Sequence, residues 1–172
     1  MLFRWIKTAL AGEPETRASA SDELKLLLRK TMPEASEQDA TIVASLAGLL
    51  AYVAYADRKY EPAEHDAITQ ALSRVDDLPA HAGEAVVQLL VERIGELAHE
   101  SLPTYTRVLY ELTSRGARLE LFDVLMDVAV ADHVLTMEET NTLRRIANLL
   151  GLSEQDYQAA QSKYRDRLSV LR

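Results

Sequence analysis

Carboxylate side chains cluster at two places in this sequence, and of all its side chains they are the best candidates for binding a cation. The two acidic groups are Asp57, Glu61 and Glu64 in the first, and Asp132, Glu138 and Glu139 in the second. Hard divalent cations such as calcium take oxygen ligands, so each group is a candidate metal site. Neither has the spacing of the twelve-residue calcium loop, because the sixth position counted from Asp57 is Pro62 and the twelfth is Ile68. No cofactor other than a divalent cation is indicated.

The same carboxylates have a second, structural interpretation. An Asp at a helix C-terminus opposes the helix dipole at a cost of about 0.3–1 kcal/mol, and it can compensate by accepting N–H groups of the turn that follows. Thr136 and Glu139 have the spacing of a capping box, in which an N-cap residue and the third helical residue satisfy each other's N–H groups. Glu61 stands in the place of that Thr and is a weaker cap. Capping and cation binding are therefore both open roles for these residues.

The two acidic groups belong to an internal repeat. Residues 53–72 and 128–147 align with Asp57 opposite Asp132 and Glu64 opposite Glu139. Each copy has the pattern of a helix end, a short turn and a helix start. This predicts two related helical halves that pack face to face.

The elements that position these groups are predicted to be helices only. Only 6 glycines and 5 prolines interrupt 172 residues rich in Ala, Leu and Glu, and no alternating strand pattern appears. We predict a compact all-α bundle of about seven to nine helices. The apolar run 40–56 is too short to span a membrane easily and rich in small residues, which indicates a central buried helix.

Helix boundaries follow from capping and breaking residues. Ser21, Ser36, Thr136 and Ser153 are expected N-caps, Pro62 is expected at a first helical position, and Gly151 is expected just beyond a C-terminus. Further helices are expected to start near Gly83 and Arg118. The predicted domain organisation is a short amphipathic helix at 1–12, a linker at 13–20 and a helical domain at 21–172.

The first ten residues combine apolar and basic side chains. Phe3 and Trp5 suit a membrane interface, and Arg4 and Lys7 suit anionic lipid. The segment can therefore contact a membrane surface or dock on the helical core. Arg4 and Lys7 also interrupt any secretory signal, so a cytoplasmic protein is expected, with peripheral contact at the inner membrane as the alternative.

Several classes of function are disfavoured. A net charge of −8 and a pI near 5.0 argue against nucleic acid as a partner and permit a basic protein partner. There is no cysteine for thiolate metal sites. Glu96 and His99 form one E-x-x-H motif, whereas a di-iron bundle needs two. Without a nucleophile turn or phosphate loop, no enzyme is expected; the alternative is a metal-dependent enzyme that uses the acidic groups.

The repeated pattern V-A-x-A-D, followed by a short turn and an acidic helix start, resembles the TerB-like family of tellurite-resistance proteins and DjlA-type co-chaperones. The second copy continues this resemblance through 143–152, LRRIANLLGL. The resemblance implies an all-helical fold with pseudo-twofold repeats, a role in bacterial stress response, metal contact by the acidic groups and membrane association in relatives. A further alternative function is therefore a membrane-peripheral, co-chaperone-like adaptor. One departure is that Arg58 and His133 follow the repeated Asp, where the family usually has Gly. We expect this to change the turn, since Gly adopts positive φ at little cost.

Overall fold

The computed structural model describes residues 19–131 and 135–164, and within these ranges it contains helices and no strands, as predicted. The eight described helices are α1 (Ala20–Thr31), α2 (Glu37–Ala54), α3 (Pro62–Ser73), α4 (Ala80–His99), α5 (Leu102–Leu112), α6 (Arg115–Ala129), α7 (Met137–Leu149) and α8 (Glu154–Ser162). The helix predicted at 1–12 and most of the linker predicted at 13–20 lie outside the described residues.

Most predicted helix ends are confirmed. Ser36, Thr136 and Ser153 each accept the N–H of the residue three positions on, and Pro62 is the first residue of α3. Gly151 has a φ of +70° beyond α7, where the Leu152 N–H donates to the Ala147 carbonyl at 2.9 Å. This bond reaches back five residues and is the mark of a Schellman end.

Three predicted starts are wrong by a few residues. Ser19 caps α1 in place of Ser21, whose own N–H donates to Glu100 at 3.1 Å. Helix α4 starts at Ala80, before Gly83, because Pro79 can occupy the N-cap and alanines follow it. Helix α6 starts at Arg115, before Arg118, because the Ser114 hydroxyl accepts the Ala117 N–H at 3.2 Å.

Helix α2 is the centre of the bundle, as its apolar sequence predicts. It contacts α1, α4, α5, α6 and α7. Its small residues allow close approach, most clearly at Gly48, where an added Cβ would lie 2.3 Å from Cε1 of Tyr105 on α5. The Tyr105 hydroxyl donates to the Leu97 carbonyl of α4 at 3.0 Å, so this one buried ring joins three helices.

The two helix pairs of the repeat pack crosswise. Helix α3, which follows the first turn of the repeat, contacts α6. Helix α7, which follows the second turn, contacts α2.

Arg93 of α4 forms ion pairs with Glu23 of α1 and with Glu96 of its own helix. Arg93 lies at a kink with a φ of −121°. None of the described helices has the length and apolar character needed to cross a membrane.

Candidate functional site

The first corner, which we define as residues 55–64, reverses the chain between α2 and α3. Asp57 accepts the Lys59 N–H on Oδ1 at 2.8 Å, which is the turn bond that the structural interpretation predicts. Arg58 has a φ of +66°. Arg58 thus adopts the left-handed conformation that Gly favours, and the backbone is strained at this residue.

Glu64 closes the first corner. It is the third residue of α3 and only 6% exposed. Its carboxylate accepts the Glu61 N–H at 2.7 Å, which satisfies one of the amides that a helix start leaves without a helical partner. Glu61 itself is exposed. Asp57 and Glu64 therefore each serve a backbone amide, one in the turn and one at the helix start.

The second corner, residues 130–139, has the same closure with a better cap. The Glu139 carboxylate, on a residue 5% exposed, accepts the Thr136 N–H at 2.7 Å and the Thr136 hydroxyl at 2.9 Å. The Glu139 N–H returns to the Thr136 hydroxyl at 3.1 Å, which completes the predicted capping box. Glu138 is exposed, and Asp132 lies outside the described residues.

Two kinds of hydrogen bond recur at equivalent places in the described parts of the two corners. The Tyr55 N–H donates to Ala51 at 3.0 Å, and at the equivalent place the Val130 N–H donates to Met126 at 3.1 Å. The bonds from the Glu61 and Thr136 N–H groups to the carboxylates have the same length, 2.7 Å. The helix end and helix start of the two corners therefore agree in these bonds, while a pseudo-twofold axis that relates whole halves stays a prediction.

A cleft lies beside each of the two helix contacts of the repeat, that of α3 with α6 and that of α2 with α7. The polar cleft, between α3 and α6, has a volume of about 650 Å³ and is lined by Asp66, Gln70, Arg74, Asp127 and small side chains. Its counterpart is about 180 Å³ and includes Tyr52, Ala56 and Thr142. These three residues are the repeat equivalents of Asp127, Ala131 and Ala67 of the polar cleft. The same location is therefore wide in one half and narrow in the other, and Tyr52 stands in the narrow cleft where the polar cleft has Asp127.

Charged groups meet in the polar cleft. Arg74 contacts Asp127 at 3.3 Å, and the Tyr164 hydroxyl donates to the other oxygen of Asp127 at 2.7 Å. The sequence interpretation missed this site. A signal exists on α3, where Asp66, Gln70 and Arg74 are spaced four apart and so share a face, but only the packing shows that this face meets Asp127.

The described histidines and carboxylates form no metal cluster, and these histidines are engaged in other contacts. Within residues 19–131 and 135–164, no three His, Asp or Glu side chains lie close enough together to hold a metal ion. His65 contacts the Tyr60 hydroxyl at 3.2 Å, while His81 and His99 each contact a backbone carbonyl. Burial, and then the charges of Glu64 and Asp66, raise the pKa of Tyr60 to about 12, so this phenol stays protonated.

Comparison with known proteins gives one match. The family model described as Tellurite resistance protein TerB matches residues 43–162. No curated protein and no solved structure matches the chain. The matched segment contains both corners and both clefts and leaves out α1.

Proposed function

Since the chain belongs to the tellurite resistance protein TerB family, we propose that it acts in a bacterial stress response by binding a protein partner, and that it is not an enzyme. The observation that carries this proposal is the polar cleft between α3 and α6. It lies beside the second corner, within the family-matched segment, and both halves of the repeat contribute to it. The proposed location is the cytoplasm.

The charges of the polar cleft favour a basic group on the partner. Asp66 and Asp127 face a single cation, Arg74, and the whole chain carries a net charge of −8. The side chains of Arg74 and Asp127 are 55% and 40% exposed, and an ion pair so exposed contributes about 0–1 kcal/mol. A partner's Lys or Arg can therefore replace Arg74 at Asp127 at little cost.

The described histidines support binding over catalysis. A general base must lie within hydrogen-bond reach of the group whose proton it takes. The imidazoles of His65, His81 and His99 contact a tyrosine hydroxyl and two carbonyls, and none of these three rings has a hydrogen bond to a Ser or Thr hydroxyl in the described ranges. These contacts suit structural histidines.

Affinity capture tests the proposal through a charge reversal in the cleft. Wild type, Asp66→Lys and the control Glu120→Lys, an exposed carboxylate on α6, are used as bait in cells exposed to tellurite. We expect a partner that wild type and the control retain and that Asp66→Lys loses. Equal recovery of every bound protein by all three baits would exclude the polar cleft as the binding surface.

A divalent cation at the second corner is the second candidate, with Asp132, Glu138 and Glu139 as its ligands. It is favoured there because three carboxylates are close together in the sequence and no arginine directly follows Asp132. The first corner fits a cation less well, since Arg58 adds a positive charge beside Asp57. Cation binding would neutralise this acidic group and change how a basic partner meets the neighbouring cleft.

Calorimetry with calcium, magnesium, manganese and zinc tests the cation site. We expect weak binding by the wild type that Asp132→Asn reduces. Equal heats from both proteins would leave capping as the only role of this corner. The first corner supplies a matched control, because Asp57→Asn should leave the heats unchanged.

A further inference from the structure

A groove that belongs to neither corner and neither cleft lies at the N-terminal end of α2, whereas the first corner lies at the C-terminal end. It has a volume of about 490 Å³, within the roughly 300–1,000 Å³ of ligand-binding pockets. It lies between the end of α1, the start of α2 and the loop that joins α3 to α4. The start of α2 is about 26 Å from its end at the first corner, from a rise of about 1.5 Å per residue over Glu37–Ala54. This groove, which we call the acidic groove after the carboxylates that line it, is therefore a surface separate from the two corners.

The floor of the acidic groove is apolar. Met32 and Val43 form its buried part, and Ala35, Ile42 and Val75 are partly exposed along it. All five belong to or pack against the hydrophobic core, so the floor is an extension of the core to the surface. A surface of this kind suits the apolar face of an amphipathic segment.

The rim of the acidic groove carries one sign of charge. Glu34, Asp39, Asp76 and Asp77 line it, and no Lys or Arg is among the lining residues. Asp39 is bound by Ser36, whereas Glu34, Asp76 and Asp77 have no hydrogen bond or ion pair within the described parts of the chain. The groove thus selects an apolar segment that carries positive charge.

The chain itself contains such a segment. We propose that residues 1–10, MLFRWIKTAL, dock in the acidic groove as a short helix. Leu2, Phe3, Ile6 and Leu10 share the face toward the floor, Trp5 lies at the edge of that face, and Arg4 and Lys7 lie toward the rim. Sequence and groove are complementary in both respects, since an apolar face meets an apolar floor and two cations meet unpaired carboxylates. The remainder of the chain is net acidic, so a second copy of the folded domain is a poor occupant.

The connecting chain is long enough. The described structure begins at Ser19, at the start of α1, and Met32 of the groove follows the end of α1. Helix α1 is about 18 Å long at about 1.5 Å per residue. The stretch from residue 10 to Ser19 can span about 30 Å, at about 3.3–3.6 Å per residue. Residues 1–10 can therefore reach the groove along the outside of α1.

Docking of residues 1–10 in the acidic groove would compete with their binding to a membrane surface. The same apolar and basic side chains cannot occupy the groove and a lipid surface at once. The acidic groove would therefore hold the segment back, and anionic lipid would compete for it. This inference is independent of the proposed partner site, because it uses neither corner and neither cleft.

Trp5 gives a direct test, because it is the only tryptophan of the chain. Quenching of its fluorescence by acrylamide is measured in the full chain. We expect protection in the wild type and accessible Trp5 in the double variant Glu34→Lys, Asp76→Lys. The docking equilibrium constant should fall about tenfold, which corresponds to about 1.4 kcal/mol. The control is Glu111→Lys, Glu120→Lys, which changes the charge equally away from the groove and should leave Trp5 protected.

Two results would overturn the proposal. One is a wild-type Trp5 as accessible as in the urea-unfolded chain. The other is equal protection in the groove variant and the wild type.

Disulfide trapping locates the segment without relying on charge. The chain has no cysteine, so Lys7→Cys with Asp76→Cys introduces the only thiol pair. We expect a disulfide within one molecule under mild oxidation, and little from the control pair Lys7→Cys with Glu120→Cys. Equal cross-linking of both pairs, or cross-linking only between molecules, would contradict docking of the segment in its own groove.

Discussion

Replacing Arg58 by glycine should stabilise the protein. Arg58 has a φ of +66° at the first corner, and its side chain has no hydrogen bond or ion pair within the described residues. The left-handed conformation costs a non-glycine residue about 1–2 kcal/mol. Glycine removes this cost and gives back about 0.5–1 kcal/mol through the greater freedom of its unfolded chain. The net gain is therefore about 0.5–1 kcal/mol.

Thermal and urea unfolding of Arg58→Gly measure this gain. A stabilisation of 1 kcal/mol raises the Tm by about 2–4 °C in a domain of about this size. The matched control is Lys59→Gly, the next residue, whose φ is not positive and whose N–H still donates to Asp57. That change should lower stability by about 0.5–1 kcal/mol. If Arg58→Gly is no more stable than Lys59→Gly, the strain inferred at the first corner is absent.

Three other predictions concern the centre, the last helix and the first segment. Gly48→Ala should destabilise the protein by about 1–3 kcal/mol in urea unfolding because its Cβ would overlap the Tyr105 ring, whereas Gly95→Ala, with open space around it, should stabilise it by about 0.5–1 kcal/mol; a neutral Gly48→Ala would contradict the close packing. The Ser153 N–H and hydroxyl hold the pKa of Asp156 below its usual 3.8, so Asp156 adds stability that is present above this value and lost as pH falls through its lowered pKa. The acid side of the stability curve should therefore flatten in Asp156→Asn, and an unchanged curve would show that Asp156 is not responsible. Full-length protein should co-sediment with anionic vesicles while a truncation that begins at Ser19 stays in solution, and equal behaviour at low salt would exclude a membrane anchor.

The sequence predicts the helix ends well because they depend on local chemistry. Ser36, Thr136 and Gly151 each act within one helical turn, so residue type and spacing suffice. Starts were misplaced where two residues compete for the cap, as Ser19 and Ser21 do. The burial of Ala20 and the bond from the Ser21 N–H to Glu100 decide that competition, and both depend on α4, far away in the sequence.

The candidate sites were less predictable because they depend on packing between helices. Capping by Glu64 and Glu139 is local and was predicted, and their deep burial agrees with it. The polar cleft requires that the Asp66 face of α3 meet α6, which no local pattern reveals. The positive φ of Arg58 could not be predicted either, because a non-glycine residue seldom adopts it. The expected difference between this turn and that of glycine-containing relatives stays a prediction.

The Tyr105 ring also sets how fast the interior can move. Its edge lies against the backbone of α2 at Gly48, and its hydroxyl is held by α4 through the Leu97 carbonyl. A half-turn of the ring needs α2 and α5 to separate briefly. The ring should therefore flip slowly and give separate NMR signals for its two sides. The amide protons around Gly48 should be among the last to exchange with solvent, since they open only when the three helices part together.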